Sequence, residues 1–208
     1  MATAPDIRPE LESGDRLTRD EFHRRYCRRP DIRKAELVNG VVYVPSPARW
    51  GKHGKHQSIV QWWLGTYVID HPKIGVGDND TVYLSTDDEV QPDAFLFRLT
   101  GSNKGAQVTE DGYIVGAPEL VVEVAASSAS YDLHDKKEAY RRAGVLEYIT
   151  WRVLDEAIDW FRLVNGEYVL IQPDADGMIE SSVFPGLRLD VTAMLSGDRA
   201  RVLAALRK

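Results

Sequence analysis

Apolar and polar positions divide this chain into recognisable elements. Thr18 with Glu21 forms a capping box, predicting a short helix to about Arg28 that Pro30 ends. KAELV, Asn39-Gly40 and VVYV alternate about a type I′ turn, predicting a hairpin with Ala35 and Leu37 on one face and Glu36 and Val38 on the other. Pro45-Ser-Pro47 breaks it. A helix is expected from Trp50 to Ile69. His56, Ile59, Val60, Trp63, Leu64, Tyr67 and Val68 recur there at three- and four-residue spacing.

Short β-runs follow at Gly75–Asp78 and Thr81–Ser85, then an acidic turn at Asp87-Asp88-Glu89 and a strand headed by Pro92-Asp93. Phe95 and Phe97 share a face of that strand. A glycine-rich mobile loop is expected from Leu99 to about Gly112. Pro118–Trp151 reads as buried strand, polar loop, amphipathic helix and second strand, with Gly144 as the helix cap. ITWRV, AIDWFRL and EYVLI then form an antiparallel meander, and a helix runs from Asp198 to Lys208. Interleaved helices and strands predict an α/β or α+β fold with a mixed sheet. Residues 1–16 are expected to be a flexible or loosely docked segment, and 17–208 one domain.

Composition narrows the picture. The 208 residues carry 43% hydrophobic side chains, no run long enough to span a membrane and no apolar leader at the N-terminus. Cys27 is the single cysteine, which excludes an intramolecular disulfide and a cysteine-rich zinc centre; a reducing cytoplasm is the expected location. The net charge of −6 argues against a general nucleic-acid coat protein. The charge is uneven: residues 1–56 hold twelve Lys/Arg and eight Asp/Glu, and the rest hold fourteen and twenty-four. Arg24, Arg25, Arg28, Arg29, Arg33 and Lys34 form one basic cluster, and Arg49, Lys52 and Lys55 another. They are either solvated surfaces or a rim that contacts phosphates beside an acidic site.

The chemistry centres on Glu123, a carboxylate between Val122 and Val124 in a buried strand. A buried charge must be paired or bind a cation. Alternation puts Val121, Glu123 and Ala125 on one face. Asp93, at the head of another strand, is the candidate neighbour. Two adjacent carboxylates repel, so a cation between them is the economical arrangement, and Mg²⁺ suits hard oxygen ligands and phosphate. Asp132, Lys136 and Tyr140 stack at four-residue spacing on the next helix. Lys136 can reach over Ala125 toward Glu123, with Lys137 as the competing choice. Glu36 is either a further acid at the site or an outward hairpin residue; His56 is either a structural histidine or a lining residue.

Pro92-Asp93, Glu119-Leu-Val-Val-Glu-Val124, Asp132, Lys136, Tyr140, Gly144-Val145 and Glu147-Tyr148 together resemble the Uma-two family of restriction endonucleases, in the PD-(D/E)XK nuclease superfamily. The resemblance extends to Glu36, Gly40, Pro45-Ser-Pro47 and His56, and covers residues 15–165. It implies a mixed central sheet flanked by helices, with Asp93 and Glu123 as Mg²⁺ ligands and the Val124 carbonyl as a third. It also implies hydrolysis of DNA phosphodiesters by an activated water. The superfamily lysine stands two residues after the glutamate, where this chain has Ala125. Lys136 is the natural substitute. The AASSAS loop also departs from the Ser-Pro segment of relatives.

The expectation is therefore a Mg²⁺-dependent endonuclease, with Mn²⁺ as a substitute, acting on double-stranded DNA and forming a homodimer by analogy. Asp93, Glu123, Lys136, Glu36 and His56 make its site. A non-catalytic DNA- or protein-binding module on the same fold is the rival, and a metal-dependent phosphatase or nucleotide hydrolase a third reading.

Overall fold

The computed structural model describes residues 10–47, 49–99, 105–126 and 129–207. Helix α1 (Arg19–Tyr26) leads into strands β1 (Glu36–Val38) and β2 (Val41–Tyr43). A π turn (Trp50–Gly54) then opens helix α2 (Lys55–Ile69). Six strands follow: β3 (Ile74–Gly77), β4 (Val82–Tyr83), β5 (Glu89–Val90), β6 (Ala94–Arg98), β7 (Gln107–Val108) and β8 (Ile114–Val115). Strand β9 (Leu120–Ala125) precedes helix α3 (Ala129–Tyr131), a second π turn (Asp132–Lys136) and helix α4 (Lys137–Ala143). Strands β10 (Glu147–Arg152), β11 (Ala157–Val164) and β12 (Glu167–Ile171) form the expected meander. Strands β13 (Met178–Glu180) and β14 (Arg188–Asp190) pair, and helices α5 (Val191–Ser196) and α6 (Arg199–Leu206) follow.

Among the described residues the strands make two six-stranded sheets and a small hairpin. One sheet runs β2-β1-β5-β4-β8-β7 and the other β12-β11-β10-β9-β6-β3. In the second, β9 and β10 are parallel while β9 meets β6 antiparallel. The expected mixed sheet is therefore present. The division into two sheets was not visible in the sequence, because β4, β5, β7 and β8 are two residues long and show no alternation.

Alternation along β9 sets the layers. Leu120, Val122 and Val124 enter a core with Ile59, Val60, Trp63 and Leu64 of α2, so the expected α2 stripe is the buried one. Val121 enters a second core with Phe95, Phe97, Tyr140 and Tyr148. Phe95 and Phe97 lie across the glycines of β3. A Cβ on Gly77 would stand 2.0 Å from the Phe95 ring, so only glycine admits this cross-strand contact. Ala35 and Leu37 pack in a third core with Leu11, Phe22 and Val42.

Turn chemistry follows the sequence closely. Asn39-Gly40 and Asn165-Gly166 all have positive φ, as a type I′ turn requires. Thr18 accepts from the Glu21 amide, and Gly144 closes α4 at φ 89°. Three expectations shift. Helix α1 ends at Tyr26 rather than Arg28. Within the loop expected from Leu99 to Gly112, residues 100–104 lie outside the described residues, and β7 occupies 107–108. Of the N-terminal segment, residues 1–9 are outside the description, whereas Leu11 is buried and Gly14 donates to the Val42 carbonyl. The AASSAS loop is described except at 127–128.

Candidate active site

Asp93 and Glu123 meet because β6 and β9 are neighbours. Ala94 at the start of β6 pairs with Val122, so Asp93, the residue before the strand, lies at the Glu123 end of that contact. The Val124 amide donates to Asp93 Oδ2 at 2.8 Å. Gln61 of α2 donates to the Asp93 carbonyl at 2.9 Å and fixes the strand head from behind. Both carboxylates are almost fully buried.

Glu36 arrives from the other sheet. Its position opposite Leu37 in the β1 alternation turns it away from the hairpin core, and it is buried. The Gln91 amide donates to Glu36 Oε1 at 2.8 Å. Lys136, at the end of the second π turn, fills the space between the sheets. Its Nζ lies 2.6 Å from Glu123 Oε1 and 2.9 Å from Glu36 Oε1. Tyr140, one turn on, donates to Glu123 Oε1 at 2.6 Å. The stacked Lys136 and Tyr140 thus both reach Glu123, as their four-residue spacing requires. The side chain of Lys137 goes elsewhere, with its Nζ 3.4 Å from the centre of the Phe161 ring.

Two residues outside the expected catalytic set complete the site at Asp93. Lys34 Nζ donates to Asp93 Oδ1 at 3.2 Å and to Asn79 Oδ1 at 3.0 Å. His53 Nε2 lies 3.0 Å from Asp93 Oδ2. Lys34 was grouped with surface arginines, yet it stands two residues before Glu36, and period two along an extended segment places both on one side. His53 sits on the first π turn, whose altered spacing hides it from a 3.6-residue reading. His56, the expected lining residue, instead packs edge-on against Trp151, with ring centres 4.8 Å apart.

The cluster holds three carboxylates, Asp93, Glu123 and Glu36, against two ammonium groups, Lys34 and Lys136. Burial pushes the Glu123 carboxyl up to about 8; Lys136 opposes this, while Asp93, Asp132 and Glu36 add to it. Burial alone would depress Lys136, but Glu123 and Glu36 outweigh it and hold the ammonium well above its ordinary range. Burial would likewise raise Asp93, but Lys34 and His53 hold it below the ordinary carboxylate range. Asp93 is therefore an ionised hard-oxygen donor, with the Glu123 carboxyl beside it. That donor chemistry fits a divalent cation at Asp93 and Glu123. Among the described residues, no group of three or more Asp, Glu, His or Cys side chains converges as a preformed metal cage. A cation here would rely on two carboxylates together with backbone, water or phosphate oxygens.

No curated protein matches the chain. A crystal structure of a putative nuclease belonging to DUF820 from Anabaena variabilis is similar in fold, with a TM-score of 0.58 at 17% identity. The likeness covers 78% of this chain and 89% of that one. The model of the Uma2 family, described as "Putative restriction endonuclease", matches residues 19–192. With most of its length inside that match, the chain belongs to the Uma2 family.

Proposed function

We propose that this protein is a metal-dependent endonuclease that hydrolyses phosphodiester bonds in double-stranded DNA, with Mg²⁺ as its ion and Mn²⁺ as a substitute. The observation that carries the reading is the meeting of Asp93, which precedes β6 and accepts from the Val124 amide, with the neighbouring Glu123 of β9, whose carboxylate lies 2.6 Å from the Lys136 ammonium. Family membership supports the nuclease class.

Asp93 and Glu123 would hold the ion, with the Val124 carbonyl as the further oxygen. When bound, a divalent ion lowers the pKa of a coordinated water and offsets charge on the phosphoryl oxygens. The chain's own groups do the rest. Lys34 and His53 keep Asp93 ionised. Tyr140 fixes the Glu123 carboxylate, and Gln91 fixes Glu36. Lys136 supplies the positive charge that Ala125 cannot, stabilising the anionic transition state or orienting the attacking water. His53 holds the Asp93 carboxylate in place through Nε2. The test is cleavage of supercoiled, linear and single-stranded DNA by the purified protein with Mg²⁺ or Mn²⁺, comparing wild type with Asp93→Ala and Glu123→Ala.

The second reading, a non-catalytic binding module, is favoured by one observation: Lys34 and Lys136 already pair with the carboxylates. Under it, Mn²⁺ neither binds nor supports cleavage, and both variants bind DNA as wild type does.

A further inference from the structure

Trp50 is 75% exposed, although a tryptophan normally buries a large apolar surface. Of the other four tryptophans, Trp63, Trp151 and Trp160 are buried and Trp62 is partly so. The exposed ring is held on a formed turn. The amides of Lys52, His53 and Gly54 converge on the Arg49 carbonyl at 3.1, 2.9 and 3.4 Å. The ring lies close to Gly54, with Trp50 Cδ1 3.8 Å from where a Cβ would stand. Three residues along the same turn, His53 reaches Asp93. The turn therefore fixes the position of Trp50 relative to the site.

Its neighbours along the chain are cationic. Arg49, Lys52 and Lys55 flank Trp50, and all three are exposed. No Asp or Glu occurs between Glu36 and Asp70, in a chain whose net charge is −6. An exposed aromatic ring among lysines and arginines is the chemistry that binds single-stranded nucleic acid: the ring stacks on a base while the cations follow the phosphates. A base inside a continuous duplex stack offers no free face to such a ring.

We infer that Trp50 is a base-stacking platform that receives an unpaired nucleotide beside the active site, with Arg49, Lys52 and Lys55 contacting its flanking phosphates. This rests on the nucleic-acid reading of the site and deepens it. The substrate would be a duplex interrupted by an unpaired or splayed base next to the scissile phosphate.

The test is binding without metal, so that it is independent of cleavage. A fluorescein-labelled single-stranded 12-nucleotide oligomer and its duplex are titrated in EDTA against wild type, Trp50→Phe, Trp50→Ala and Lys52→Ala/Lys55→Ala. Trp50→Ala should weaken single-strand binding about 5- to 140-fold, Trp50→Phe should retain most of it, and neither should change duplex binding. Lys52→Ala/Lys55→Ala should weaken both and lower the salt slope for the single strand by about 1.4. Single-strand affinity unchanged in Trp50→Ala overturns the inference, whether or not the wild type cuts DNA. A Trp50-dependent affinity in a protein that cuts nothing upholds it and removes the catalytic reading instead. Wild type that binds no nucleic acid contradicts the inference.

Discussion

Lys136 Nζ stands 2.6 Å from Glu123 Oε1, on a strand that has alanine where a lysine two residues past the glutamate would lie. The positive charge that the strand lacks is delivered from the following helical segment. The same ammonium also bonds Glu36 of the other sheet, so one side chain ties both sheets at the site.

Lys136→Met should therefore do two things. Under the proposed mechanism it removes the charge that would stabilise the transition state, lowering kcat by about 10²- to 10³-fold. It also leaves two buried carboxylates without their partner, a loss of about 3–5 kcal/mol in stability. Urea unfolding separates the effects: Lys136→Met with Glu36→Gln should recover part of the stability and none of the activity.

Ala125 offers a second test. If the lysine can serve from either origin, Ala125→Lys in the Lys136→Ala background should restore activity at least tenfold over Lys136→Ala alone. An inert double variant that folds as wild type would show that Lys136 does more than supply charge.

The two histidines of the first π turn and α2 should part company. His53 contacts Asp93, so His53→Ala should lower kcat by more than its loss of stability accounts for. His56 meets Trp151 edge-on, so His56→Ala should leave kcat intact and cost about 0.5–1.5 kcal/mol. Steady-state cleavage and thermal unfolding of both variants check this, and loss of activity in His56→Ala alone would reverse the assignment.

Stability of the metal-free protein should fall at both ends of the pH scale for different reasons. Asp93 is held below its ordinary 3.8, so its contribution is present above 3.8 and lost as pH falls below it. Glu123 is raised from 4.5 to about 8, so its contribution is complete below 4.5 and lost as pH rises through about 8. Asp93→Asn should flatten the acid limb of the unfolding midpoint and Glu123→Gln the alkaline limb. An alkaline limb unchanged in Glu123→Gln would mean that another group governs it.

Much of this site was legible in the sequence, because buried carboxylates in apolar strands are conspicuous. Period two placed Glu123 away from the α2 core and Glu36 away from Leu37, and helical spacing joined Lys136 to Tyr140. What was hidden depended on non-standard backbone. The π turn at Trp50–Gly54 moves His53 into the site and leaves His56 on the core stripe. Lys34 was obscured by the arginines around it, since local composition does not show which member of a basic cluster turns inward. The second sheet was hidden because pairs as short as β4 with β8 are set by long-range contacts.

Cleavage of supercoiled plasmid in Mg²⁺ or Mn²⁺ tests the central claim most directly. Wild type should nick or linearise the plasmid only when the ion is present, and Asp93→Ala and Glu123→Ala should each abolish this while remaining folded. Wild type that leaves every DNA form intact, or variants that cut as well as wild type, would contradict the assignment of these carboxylates as the catalytic pair.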